Sequence, residues 1–245
     1  MNPTPYPVTV TAQLDPDVSR ALWLVKWILA IPHYLILLAL WVTFVVLSVV
    51  AFVTIVCTGR YPRAIFDVNV GIMRWTWRVT YYAYGALGTD RYPPFTLADV
   101  PSYPAHLDVA YPERLSRGLV LVKWWLLALP HYIVVGVFIG GSSYAASQAA
   151  QPLVFSGGLV GILVLISGVT LLVTGTYPTP LFDLVIGLQR WVIRVAGYAA
   201  LMTDVYPPFR LDLGGDPEVG TEPNGPPEGD RGPYAVRPPA ITLVP

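Results

Sequence analysis

The chain has 245 residues, of which 54% are hydrophobic, 13% aromatic and only 12% charged, with fifteen Lys and Arg balancing fifteen Asp and Glu. Soluble domains carry roughly 25% charged residues, so this composition excludes an ordinary soluble globule, and the abundance of apolar side chains excludes whole-chain disorder. A balanced charge gives no reason for a nucleic-acid partner, and the lone Cys57 has neither a disulfide partner nor a metal-ligand pattern around it. An all-α integral membrane protein is what remains.

The sequence is written twice. Tyr6-Pro7 returns at Tyr103-Pro104, Ser19-Arg20 at Ser116-Arg117, Lys26-Trp27 at Lys123-Trp124, and Pro32-His33-Tyr34 at Pro130-His131-Tyr132. Thr-Gly-x-Tyr-Pro follows at 58–62 and 174–178, and Thr-Asp-x-Tyr-Pro-Pro-Phe closes each copy at 89–95 and 203–209. So many matches in one order identify a tandem duplication. We divide the chain into a first membrane repeat over 1–99, a second over 100–213, and a Pro/Gly-rich acidic tail over 214–245 that reads as disordered.

In chain order, Tyr6 to Thr11 alternates like a short strand, as His106 to Val109 does less clearly. Residues 1–17 hold no basic segment leading into an apolar core, so no cleavable signal peptide is expected and the first helix directs insertion. An apolar run then extends from Ala21 to Cys57. The second copy carries 18 extra residues between His131 and Gly175 relative to His33 and Gly59, and the polar stretch from Gly140 to Pro152 accounts for them. Polar insertions belong outside the bilayer core. The run is therefore predicted to be a transmembrane hairpin turning near Thr43, with legs at 19–40 and 42–58, and at 117–140 and 153–174 in the second copy. No charge lies between Lys26 and Arg60 or between Lys123 and Asp183, so two hairpins leave every Lys and Arg on one side. The positive-inside bias makes that side, with both termini, cytoplasmic. The rival is an in-plane helix over 18–31 followed by one span at 33–57.

A third helix follows in each copy, at 63–88 and 179–202. Asp67, Gly71, Arg74 and Arg78 fall on one helical face, as do Asp183, Gly187, Arg190 and Arg194. We expect an amphipathic helix lying in the interface with this charged stripe facing out, giving four spans; a crossing third helix would give six. The Tyr-Pro-Pro-Phe segments read as extended, and they lead into Thr96-Leu97 and Arg210 to Leu213, which are candidates to pair with the two strands in a small cytoplasmic sheet.

The residues Lys26-Trp27 with Ala30-Ile31-Pro32-His33-Tyr34, Thr58 to Pro62, Arg74-Trp75 with Arg78, and Asp90 to Phe95 resemble the actinobacterial multi-pass membrane proteins of domain-of-unknown-function family 4389. The resemblance covers residues 6–211 in both copies, and the second departs from it at Thr176 and Val205, where the first has Arg60 and Arg91. It implies a bacterial inner-membrane protein, and it implies no activity.

Two constellations carry candidate chemistry. His33, Tyr34, His131 and Tyr132 form a candidate intramembrane polar site, and an ionisable residue within a span is a functional hypothesis by default. The structural alternative is that these side chains satisfy backbone groups freed by Pro32 and Pro130. No cofactor is expected; a haem held between His33 and His131 is the alternative. The stripes Asp67, Arg74, Arg78 and Asp183, Arg190, Arg194 read as a salt-bridge seam or as donors to anionic lipid headgroups. No catalytic or metal-binding set appears. The expected function is a non-enzymatic multi-pass scaffold or accessory subunit contacting membrane lipids and a protein partner or second copy. The rival is a small transporter or channel with a site between the repeats.

Overall fold

Two strands, β1 (Val8–Ala12) and β2 (Ala105–Val109), pair antiparallel with Val10 opposite Leu107. In the computed structural model, which describes residues 6–140 and 158–213, each strand opens one copy of the repeat. Val10 and Leu107 are each other's counterparts in the duplication. The local dyad of an antiparallel pair stands normal to the sheet, so the dyad relating the two copies passes through this residue pair. The strands pair with one another rather than with the closing segments at 96–97 and 210–213, which are irregular. One sheet face, Val8, Val10, Ala12, Ala105, Leu107 and Val109, is buried. The opposite face carries Thr9, Thr11, His106 and Asp108.

Beneath the buried face lie α3 (Arg63–Tyr82), against β2, and its counterpart α7 (Thr179–Ala199), against β1. Each strand therefore sits on the helix of the other copy's numbering, and the two copies share one core. Outside α3 run α1 (Trp23–Leu29) and α2 (Ile31–Thr58), broken at the buried Ala30, with Pro32 in the first turn of α2 where no amide partner is needed. Outside α7 run α4 (Arg117–Val122), a π-helical turn Lys123–Leu127, α5 (Leu129–Ile139) and α6 (Gly158–Thr174).

The hairpin expected in the first copy does not form. Residues 31–58 make one continuous helix of 28 residues, and Thr43, the expected turn, lies inside it with its hydroxyl donating to the Ala39 carbonyl at 3.1 Å. The second copy explains the misreading. Its α5 and α6 have 11 and 17 residues, matching the 28 of α2, and the inserted residues leave at Gly140 and return at Gly158. A Cβ on Gly158 would fall 2.2 Å from the Gly140 nitrogen and 2.5 Å from the Phe138 carbonyl oxygen, so α6 starts where α5 stops. The buried stripe continues in register: Phe44, Ala51 and Ile55 correspond to Val160, Ser167 and Leu171, all buried. Most of the insertion lies outside the described residues, as does the tail beyond 213.

The second copy also holds one extra residue between Lys123 and His131 relative to Lys26 and His33. The π-helical turn absorbs it, because a wider turn takes one residue more without rotating the flanking faces. Lys26, Lys123, His33 and His131 are consequently all fully buried.

The third helices do not carry their charges outward. Arg78, Arg190 and Arg194 are buried beneath the sheet and the closing segments, so the expected out-facing interfacial stripe is corrected to an in-facing one. Four spans are not supported either. Of the described helices α2 alone is long and apolar enough to cross a bilayer, and Arg117–Leu127 with Leu129–Ile139, bent by 43°, passes only as a pair. Only 17% of the most apolar window of α2 is buried, so it is not the core helix of a globule. Its inward stripe is His33, Leu37, Phe44, Ala51 and Ile55; Leu35, Leu38, Val42, Val45, Val49 and Val53 are exposed.

The dyad fixes how α2 lies. Arg20 packs against Gly175, the counterpart of Gly59, and equivalent points stand at equal height along a dyad. The chain thus returns at Gly59 to about the height it had at Arg20. The stretch from Arg20 to Ala30 climbs at most roughly 20 Å, at about 3.3 Å per residue to Trp23 and about 1.5 Å per residue along α1, whereas α2 is about 42 Å long. α2 therefore runs more across the dyad than along it, and the dyad sets the α5–α6 rod in the opposite sense across it.

Candidate functional site

The repeated motifs converge. Lys26, on α1, is fully buried and its Nζ lies 2.8 Å from Asp90 Oδ1, while donating to the Thr89 carbonyl at 2.7 Å. The Ser19 amide donates to the other Asp90 oxygen at 2.6 Å. In the second copy Lys123 reaches Asp204 at 2.7 Å and the Thr203 carbonyl at 3.1 Å, and the Ser116 amide donates to Asp204 at 2.6 Å. A buried ammonium is tolerated only when paired and hydrogen-bonded, and each copy supplies that pairing from its own closing motif.

About two turns further along each copy, Trp75 donates its indole N–H to His33 Nδ1 at 3.0 Å, and Trp191 donates to His131 Nδ1 at 3.1 Å. An indole only donates, so Nδ1 is the bare acceptor and the proton of the neutral ring sits on Nε2. Phe95 stacks on His33 at 4.0 Å and 12°, with Tyr92 at 4.9 Å; Phe209 stacks on His131 at 4.1 Å and 13°, with Tyr206 at 4.9 Å. Both Nε2 atoms are buried without a hydrogen bond of good geometry among the described residues, the Pro207 backbone lying beside that of His131. Each imidazole is thus enclosed by aromatic side chains of its own copy, in two separate cages rather than one shared space.

Carbonyls freed at the helix breaks are satisfied from elsewhere. Tyr92 donates to Leu29 O at 3.0 Å, Tyr206 to Leu127 O at 3.1 Å, and Tyr132 to Trp124 O at 2.5 Å. Tyr132 therefore does serve a freed backbone group, whereas Tyr34, whose hydroxyl is buried without a partner among the described residues, packs near Tyr84. Sequence reasoning read the Tyr-Pro-Pro-Phe segments only as extended punctuation and missed Tyr92, Phe95, Tyr206 and Phe209 as cage walls. The available signal was that they recur together with the histidines they cover.

The arginines form a second assembly, around the sheet. Arg74 donates from Nε to Leu107 O at 2.8 Å and from Nη2 to Asp108 at 2.6 Å. Arg190, its counterpart, donates to Val10 O at 3.1 Å and to Asp212 O at 2.5 Å. Arg78 bonds the carbonyls of Ala98, at 2.8 Å, and of Thr96; Arg194 pairs with the buried Asp212 carboxylate, which also takes Arg210 at 2.9 Å. Gly71 and Gly187 let the closing segments lie this close: a Cβ would meet Leu97 Cβ at 2.8 Å in one copy and Asp212 O at 3.0 Å in the other. Asp67 does not join the assembly; it is exposed and pairs with Arg63 at 3.3 Å, and Asp183 is half-buried at the equivalent point.

Between the repeats, Gln189 donates to Gly85 O at 3.3 Å and Tyr177 to Ala86 O at 2.6 Å. Burial pushes the Tyr177 phenol up to about 12, which keeps its donor proton in place across the physiological range. A cavity of about 540 Å³ opens beside this seam, walled by Trp23, Trp27, Tyr84, Ile139 and Val164, with Gln189 as a polar wall residue. No group of three or more metal-ligating side chains occurs among the described residues.

A family model described as "Domain of unknown function (DUF4389)" matches residues 20–96 and 153–210, together more than half of the chain. The first match takes in α1 to α3 with the first closing motif, and the second takes in α6, α7 and the second closing motif. No curated protein and no solved structure matches the chain.

Proposed function

The chain belongs to the DUF4389 family, and we propose that it is a non-enzymatic membrane protein that serves as a scaffold or accessory subunit, seated in one leaflet with its long helices in the membrane plane. The observation that carries this reading is the opposition of two faces along one dyad. At one end the outer surfaces of α1, α2 and α4 to α6 are apolar and exposed, through Trp27, Leu35, Leu38, Val42, Trp124, Ile133 and Val173; at the other end the sheet exposes Thr9 and Asp108. With the dyad along the membrane normal, lipid covers the first end and water the second.

The upright alternative, with α2 along the normal, turns the dyad into the membrane plane and brings the sheet face to mid-depth. Asp108 would then meet hydrocarbon at a cost of ~2.5–3.5 kcal/mol. In-plane seating avoids that cost, keeps every cation and both termini on one side, and by the positive-inside bias makes that side the cytoplasm of the bacterial inner membrane. The caged histidines and buried arginines then act as structural fasteners, and the polar sheet face is the surface available to a protein partner or second copy.

Labelling with an impermeant thiol reagent tests the seating. In a Cys57→Ala background, Arg20→Cys and Arg60→Cys in oriented vesicles are expected to react from the same side; reaction from opposite sides would mean that α2 crosses. The cavity beside Gln189 supports a second reading, a small transporter with its site between the repeats. Saturable uptake into proteoliposomes that is lost in Gln189→Leu would favour transport over the scaffold.

A further inference from the structure

The duplication provides an internal control for one feature of the first copy. Gly59 and Gly175 end α2 and α6 in the left-handed region, with φ of 72° and 75°. An arginine from the opening of the opposite copy lies against each: Arg117 Nε is 3.5 Å from where a Cβ on Gly59 would stand, and the Arg20 guanidinium packs on Gly175. These two equivalent arginines face helix C-termini, where a cation offsets the exposed carbonyls.

The surroundings then diverge. Where the first site has Arg60 and Arg114, the second has Thr176 and Asp17. Thr58, Gly59, Arg60, Arg114, Leu115 and Arg117 line a solvent-open cavity of about 490 Å³, and Glu113, next in the chain, does not line it. Among the described residues none of the three guanidiniums takes part in a salt bridge. Terminating the helix accounts for Arg117, as Arg20 does in the second copy, but it requires neither Arg60 nor Arg114. All three arginines are exposed, so water and salt screen their mutual repulsion in part, and an anion seated among them would offset what remains. Guanidinium forks match phosphate oxygens in bidentate geometry better than they match any other common anion except carboxylate.

We propose that the Arg60–Arg114–Arg117 cavity binds a phosphoryl anion, and that its source is the phosphodiester of an anionic lipid. The phosphoryl chemistry rests on the cavity alone; the lipid source rests on the membrane seating proposed above. The cavity lies at the end of α2, whose outer residues Val49 and Val53 are exposed and apolar, so a headgroup held there leaves its acyl chains along a hydrocarbon-compatible surface. The second copy, with Asp17 and Thr176, has no such site.

The test compares the full chain with Arg60→Thr/Arg114→Asp, a pair of residues that the second copy already accommodates at the same helix end. Native mass spectrometry in neutral detergent, with equimolar phosphatidylglycerol and phosphatidylcholine, is expected to find one phosphatidylglycerol retained at least tenfold in preference, and the preference abolished in the variant with unchanged thermal unfolding. Calorimetric titration with inorganic phosphate forms the second arm. Phosphate binding that the variant loses, without lipid preference, supports the phosphoryl site and overturns the lipid source. Equal lipid preference in both proteins, or no preference and no phosphate binding, overturns the site. Partition of both proteins into pure phosphatidylcholine vesicles reports the apolar seating separately, so its failure is distinguishable from loss of the anion site.

Discussion

At the residue scale, burial decides which charges matter. Asp212 and Asp108 each accept an arginine from the third helix of a copy, but Asp212 is 6% exposed as a residue, whereas the Asp108 side chain is 71% exposed. Asp212→Ala leaves Arg194 buried without its carboxylate and is expected to cost about 3–5 kcal/mol, while Asp108→Ala is expected to cost less than about 1 kcal/mol. Chemical unfolding of the two variants in micelles checks the contrast; equal losses would contradict it. Trp75→Phe removes the donor to His33 Nδ1 inside an aromatic cage and is expected to cost about 1–3 kcal/mol in the same assay. Trp191→Phe is expected to match it, since the second cage repeats the first within 0.1 Å in its indole bond, 3.0 against 3.1 Å.

At the element scale, the sequence carried the duplication, the strands and the third helices, but not what each helix faces. The spacing of Arg74, Arg78, Arg190 and Arg194 fixes a common face; whether that face meets water, lipid or a closing segment depends on the Gly71 and Gly187 contacts, which join residues far apart in the chain. The hairpin at Thr43 failed for a related reason. An insertion was taken to mark a turn, yet a helix can release a loop and resume in line, so that Ile139 and Gly158 replace Trp41 and Val42. Deleting residues 140–157 is accordingly expected to fuse α5 and α6 into one 28-residue helix like α2, with thermal unfolding preserved and no loss of helical circular dichroism. A deletion variant that cannot fold would contradict the equivalence of the two rods. The cage was legible only in part: the histidines and tryptophans stand out as repeated motifs, whereas Phe95 and Phe209 stack on them through a chain reversal that no local pattern announces.

At the scale of the whole molecule, the dyad through Val10 and Leu107 links the architecture to the proposed membrane seating. It stacks the polar sheet face, the buried α3 and α7, and the apolar outer rods in one direction, and α2 runs more across that direction than along it. Length and hydropathy alone make α2 a candidate span; under the seating proposed above, its orientation relative to the dyad places it in the membrane plane instead. The most direct measurement is a depth scan along α2. Nitroxide labels at Leu35, Leu38, Val42, Val45, Val49 and Val53, all on its exposed face, would be read for accessibility to oxygen and to a water-soluble nickel chelate in lipid bilayers. In-plane seating requires a nearly constant depth from Leu35 to Val53. A profile that rises to a maximum near Val45 and falls toward both ends would contradict it.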